Sequence, residues 1–161
     1  MKNVLVIGYG NVLRRDDGAG RRAAERIAER FPDVECVSVH ELHPELAEQA
    51  ASKHLVLFLD AAPDIEFLQF RPVVPAGNRP VPLTHSVDPE RLMLLCRHLF
   101  DAAPEAYLVK IPAVDMSFGE DLSPVTAAAV KDVVSDLGTL LFRQDGSGQS
   151  APNFHVLRDV N

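Results

Sequence analysis

Two aspartates and one histidine stand where they could bind a metal ion together. Asp17 follows the first apolar segment, Asp60 ends a second apolar run, and His85 lies in a long loop before a predicted helix. If both apolar segments are parallel strands, their carboxyl ends meet at one edge of the sheet, where such sheets bind ligands. Two carboxylates and one imidazole leave a coordination position open for water or substrate, as a reactive or transferred metal requires. This mixed set of oxygen and nitrogen ligands suits a borderline divalent ion such as zinc or nickel.

The segment that carries Asp17 reads GYGNVLRRDDGAG, residues 8–20, and opens like a phosphate-binding loop. Its first two glycines permit a sharp exit from the strand, but Leu13 stands where a dinucleotide-binding loop has its third glycine. Asp16 and Asp17 would also repel a pyrophosphate at the start of the following helix. A nucleotide site is therefore disfavoured, although the two aspartates could simply cap that helix.

The elements that must position these residues alternate along the chain. We predict strands over 2–7, 34–39, 55–59, 66–74 and 106–111, with Pro72 typical of an edge strand. We predict helices over 17–31 and 44–50, a third capped by Asp88 with Pro89 at its first position, and a last one after Ser123 and Pro124. This alternation predicts an α/β fold, a three-layer sandwich with a largely parallel sheet between helices. We expect a single domain over 1–143 and a flexible linker and tail over 144–161.

Composition argues against several classes of partner. The 161-residue chain has a net charge of -7 and scattered basic residues, so neither nucleic acid nor an anionic membrane is an expected partner. We expect no export signal and no transmembrane segment, and hence a cytoplasmic protein. Cys36 and Cys96 lie in apolar surroundings, which predicts two reduced thiols and no disulfide.

Other groups of reactive residues fit known chemistry less well. His40 and His43 flank a glutamate, but a helical metalloprotease motif places its histidines four apart, and these lie three apart before a proline. The sequence lacks a G-x-S-x-G elbow for a serine nucleophile. Asp115 and Glu120 follow the strand over 106–111 and are second-rank candidates for the same edge.

These residues together resemble a known family, the nickel-dependent maturation endopeptidases of nickel–iron hydrogenases. The chain matches the family pattern G-x-G-N-x-L-x-x-D-[DE]-x-x-G through the segment 8–20, followed in family order by Asp60-Ala61 and by His85 ahead of Asp88-Pro89. The segment 118–124, FGEDLSP, resembles the passage before the family's final helix. The resemblance spans about residues 1–142. One departure is the segment HELHPE, residues 40–45, where the best-known members carry a D-G-G-T-like turn.

The resemblance implies a specific activity. Such an enzyme removes a C-terminal peptide from the hydrogenase large-subunit precursor after nickel insertion, and the nickel supplied within that precursor marks it as ready. Carried over by position, Asp17, Asp60 and His85 would contact the metal and carry catalysis, while Asp16 would support the loop. The departure at 40–45 bears on substrate selection, where His40 and His43 are candidate contacts.

Two other functions remain open at this point. A non-catalytic nickel-binding or hydrogenase assembly factor would keep Asp17, Asp60 and His85 without cutting anything. A nucleotide-dependent enzyme would use the glycine loop. The sequence leaves open which large subunit is served, whether the isolated protein holds metal, and its oligomeric state.

Overall fold

The structure, a computed structural model, describes residues 3–75, 77 and 86–142. Its strands are β1 (Val4–Tyr9), β2 (Glu35–Val39), β3 (Leu55–Ala62), β4 (Gln69–Pro72) and β5 (Glu105–Pro112). Its α-helices are α1 (Ala19–Arg30), α2 (Leu46–Ala51), α3 (Pro89–Phe100) and α4 (Pro124–Phe142). A short 3-10 helix, Arg15–Gly18, precedes α1.

The sheet has the strand order β2-β1-β3-β5-β4 within the described residues. The first four strands in this order are parallel, whereas β4 runs antiparallel to β5 and forms the edge. Pro72 lies in this edge strand, where its missing N–H breaks no ladder on the open side. The predicted largely parallel sheet and the predicted edge strand are both confirmed.

Helices cover both faces of the sheet. On one face, α1 and α4 pack on inward-facing side chains of β1, β3 and β5, including Val6, Leu57 and Val109. On the other face, α2 and α3 pack on the alternate side chains, including Ile7 and Phe58. The alternation of buried side chains along each strand thus builds two cores, and the predicted three-layer α/β sandwich is confirmed.

Several predicted boundaries are wrong. The third strand does not end at Asp60, because Asp60, Ala61 and Ala62 continue the ladder opposite Lys110, Ile111 and Pro112. The first helix begins at Ala19 rather than at residue 17, because the 3-10 turn comes first. The segment 66–74 forms a strand only over Gln69–Pro72, and the second helix runs from Leu46 to Ala51.

Both predicted proline-led helix starts are confirmed. The Asp88 side chain accepts a hydrogen bond from the Arg91 amide, and α3 begins at Pro89. The last helix begins at Pro124, with Ser123 accepting from the Thr126 amide at 3.4 Å. The predicted tail over 144–161 lies outside the described residues. No helix within 3–75 and 86–142 is long and apolar enough to cross a bilayer.

Candidate active site

Asp17 and Asp60 lie at the carboxyl edge of neighbouring strands. Gly8 of β1 pairs with Leu59 of β3, so Tyr9 and Asp60 are the next residues along these two strands. The loop after β1 turns sharply at Gly10, whose φ of 136° is accessible mainly to glycine. The loop then returns Asp17 to the strand ends. The Asp17 carbonyl oxygen packs so closely on Gly10 that a Cβ on Gly10 would lie 2.0 Å from it.

Asp17 is half-buried, and one backbone amide holds its carboxylate in place. Its Oδ2 accepts a hydrogen bond from the Asn11 amide at 2.9 Å, and no other described residue bonds to this carboxylate. The N-cap position of α1 is Gly18, and no side chain caps that helix. The alternative in which Asp16 and Asp17 serve as helix caps is therefore wrong.

Asp60 is a poorly solvated carboxylate. Burial, together with the nearby negative charge of Asp17, raises its pKa from 3.8 to about 6 against the opposing hydrogen bond from Tyr9. The Tyr9 hydroxyl lies within hydrogen-bonding reach of the Asp60 carboxylate. Burial and the charge of Asp60 in turn raise the pKa of Tyr9, so this phenol stays protonated and remains a donor.

The paired carboxylates fit a cation. Asp17 lies close enough to raise the pKa of Asp60, so the two carboxylates gain from a positive charge placed between them. Among the described residues, no three histidine, cysteine or acidic side chains form a complete metal-binding group. His85, the third residue predicted for this site, lies outside the described residues. The described portion of the site thus contains two neighbouring carboxylates, and their role as metal ligands stays a prediction.

Asp16 joins two loops across the carboxyl edge. Its side chain is fully buried and accepts four hydrogen bonds, at 2.8–2.9 Å, from the amides of Val114, Asp115 and Ser123 and the Ser123 hydroxyl. Burial alone would favour the neutral acid, but these donors hold the pKa of Asp16 below its ordinary value. The supporting role expected for Asp16 is confirmed: it anchors the loop of Asp17 to the β5–α4 loop.

We predict that Asp16→Asn destabilises the protein by about 2 kcal/mol, because one acceptor oxygen becomes a donor that faces buried donors. The native stabilisation is fully present above the carboxyl's ordinary pKa and is lost as pH falls through the depressed folded pKa. Urea unfolding at pH 7 and pH 3 measures both effects. As a control, Asp33→Asn, in the exposed turn after α1, should change stability little; equal losses for the two variants would contradict this account.

A strained residue adjoins Asp16. Arg15 adopts a φ of 43°, which non-glycine residues rarely occupy. Its amide donates to the Gly119 carbonyl at 2.9 Å, and its guanidinium packs so closely on Gly119 that a Cβ there would lie 2.7 Å from it. Its Nε also lies 3.7 Å from the Asp115 carboxylate. A backbone hydrogen bond and side-chain contacts therefore both join the two loops.

The turn after β2 also reaches this edge. The Gly10 amide donates to the His40 carbonyl at 3.1 Å, and the Val87 amide donates to the Leu42 carbonyl at 3.1 Å. The turn therefore lies between the Gly10 loop and the start of α3. His40 is exposed and His43 is half-buried. The role of the two histidines in substrate contact stays a prediction.

The second-rank acidic residues differ in role. Hydrogen bonds from Ser117, with the charge of Arg15, hold the pKa of Asp115 below its ordinary value. Asp115 therefore organises its own loop. Glu120 is exposed on the same loop.

Sequence reasoning missed Tyr9. Its position gives a signal in retrospect: Ile7 and Phe58 face the same core, and Tyr9 and Asp60 come two residues later on the same face of adjacent strands.

Solved structures of other proteins share this architecture. No protein-family model matches the chain, and no curated protein matches it significantly. Among solved structures, the hydrogenase maturating endopeptidase HybD from E. coli superposes with a TM-score of 0.65 at 21% identity, covering 88% of this chain and 94% of that one. The chain has the fold of a hydrogenase maturation protease.

Two archaeal structures agree with this assignment. The NiFe hydrogenase maturation protease HybD from Thermococcus kodakarensis matches with a TM-score of 0.63 at 23% identity, covering 86% of this chain and 98% of that one. HycI from Thermococcus kodakarensis KOD1, another NiFe hydrogenase maturation protease, matches with a TM-score of 0.65 at 19% identity, covering 84% and 90%.

Proposed function

We propose that this protein is a hydrogenase maturation endopeptidase, which removes the C-terminal peptide from a nickel-loaded large-subunit precursor. The observation that carries the proposal is the pair of half-buried carboxylates, Asp17 and Asp60, at the carboxyl edge of a fold shared with maturation proteases. Nickel belongs to the substrate in this proposal. The precursor's own side chains bind the nickel, and the enzyme recognises the precursor by the presence of this ion.

The electrostatics of the site support recognition of a cation. Asp17 raises the pKa of Asp60, so the charge of Asp60 is unfavourable in the free protein. A precursor that carries nickel relieves this repulsion, whereas a nickel-free precursor does not. We propose His85 as the third contact, from its position ahead of α3. The dependence of cleavage on nickel thus has an electrostatic cause. The negative charges of Asp17 and Asp60 are unfavourable side by side until a cation lies next to them.

The same residues can support peptide hydrolysis. Binding to the substrate's nickel would fix the scissile bond over the strand ends, which makes the attack effectively intramolecular. A carboxylate then accepts a proton from the attacking water, the water oxygen bonds to the carbonyl carbon, and the C–N bond breaks. The departing amine takes up that proton. Asp60 is a candidate acceptor, because its raised pKa makes it a stronger base than an ordinary aspartate.

Release of one defined peptide tests the proposal. The purified nickel-loaded precursor is incubated with the protein, and the low-mass fraction is analysed by liquid chromatography and mass spectrometry. We expect a single peptide that ends at the precursor's C-terminus. Many peptides, or none, would argue against a dedicated maturation endopeptidase.

A further inference from the structure

Most of the exposed large apolar side chains lie at the same end of the sheet as the two carboxylates. Within the described residues, five of the eight such side chains belong to segments at the carboxyl edge, and we call them the apolar rim. The rim consists of Leu13, Phe67, Val114, Phe118 and Val125. The other three, Val74, Leu99 and Phe100, follow β4 or end α3 and therefore lie toward the opposite edge.

The rim is formed by several loops. Leu13 follows β1, Phe67 follows β3, and Val114 and Phe118 follow β5. These three strands are neighbours in the sheet, so the rim extends across roughly 10 Å or more at the usual strand spacing. Phe118 is 85% exposed and Leu13 is 55% exposed, and exposed apolar side chains that group on one side of a molecule mark an interaction site.

The rim is held rigidly beside the candidate site. The Gly119 amide donates to the Leu13 carbonyl at 2.9 Å, and Arg14 Nε donates to the Met116 carbonyl at 3.1 Å. The four hydrogen bonds to Asp16 fix the same two loops next to Asp17. A surface held in place before binding loses little conformational entropy when a partner docks.

We infer that the apolar rim docks the folded body of the precursor around its nickel site, in addition to the C-terminal peptide that is cut. This inference rests on the proposed function, because a substrate whose nickel reaches Asp17 and Asp60 must also cover the adjoining rim. An extended peptide follows one line across the strand ends, whereas the rim lies on separate loops around the carboxylates. A folded surface with an apolar patch beside its nickel covers the rim and excludes water from the site.

The test compares two double variants that remove similar apolar side chains. L13S/F118S alters the rim, and V74S/L99S alters exposed positions away from it. Binding of the nickel-loaded precursor is measured by biolayer interferometry, and kcat and KM are measured separately by mass spectrometry. We expect L13S/F118S to raise Kd and KM at least about tenfold with kcat nearly unchanged, and V74S/L99S to match the native protein. Thermal unfolding should be the same for all three proteins.

The outcomes separate the rim from the proposed activity. If L13S/F118S binds the precursor as tightly as the native protein does, or if V74S/L99S weakens binding equally, the rim inference is overturned. It is also overturned if the native protein fails to bind the precursor, or if light scattering shows a native dimer that the rim variant dissociates. If the native protein binds but cuts nothing, the proposed activity fails, and the Kd values still decide whether the rim docks the precursor.

Discussion

Asp17→Asn should lower the rate of precursor cleavage by at least about a hundredfold while leaving the fold intact. The substitution keeps an oxygen that can accept from the Asn11 amide, so the loop loses little. It removes the negative charge that the proposal assigns to contact with the substrate's nickel. Single-turnover cleavage of nickel-loaded precursor measures the loss, and thermal unfolding measures the fold.

A matched aspartate provides the control for this substitution. Asp33 is exposed in the turn after α1, away from the carboxyl edge, so Asp33→Asn should cleave at the native rate. Native activity in Asp17→Asn would remove this carboxylate from the reaction. Unfolding of the variant would instead assign Asp17 a structural role.

Asp60→Asn should also lose cleavage by at least about a hundredfold, yet be more stable than the native protein at neutral pH. Burial and Asp17 raise the pKa of Asp60 from 3.8 to about 6, so folding must carry an unfavourable charge. Asparagine removes that charge and can still accept from Tyr9. We expect the free energy of unfolding to rise by about 2 kcal/mol at pH 7.5.

The size of this stability gain changes predictably with pH. Because the folded pKa is raised, the native protein is most stable, as far as Asp60 is concerned, below about pH 4. Its stability then falls until the pH passes about 6, where the folded carboxyl also ionises. The gain in Asp60→Asn should therefore vanish near pH 3.5 in urea unfolding. A variant that is less stable than the native protein at pH 7.5 would show that Asp60 is a structural anion.

The parallel strands could be predicted because their apolar runs are continuous, as strands buried on both faces must be. Pro72 indicated the edge, and the proline-led starts of α3 and α4 indicated their positions. The extension of β3 past Asp60 could not be read from its pattern, because pairing with β5 overrides the polarity of one residue. Strand ends thus depend on a partner that local sequence does not reveal.

The candidate site was predictable in part. The order of the strands brings Asp17 and Asp60 to one edge, as parallel connection requires. Local sequence could not distinguish Asp16 from Asp17, because adjacent aspartates look alike until the β5–α4 loop supplies the donors that bury one of them. Tyr9 was missed because its role depends on the register of β1 against β3.

The most direct test of the central claim is the intact mass of the large-subunit precursor after incubation with this protein. Four reactions suffice: nickel-loaded or nickel-free precursor, each with the native protein or with Asp17→Asn. We expect the mass to fall by one C-terminal peptide only when nickel-loaded precursor meets the native protein. Cleavage of nickel-free precursor at the same rate would contradict recognition of nickel by the paired carboxylates, and full-length precursor in all four reactions would contradict the proposed endopeptidase.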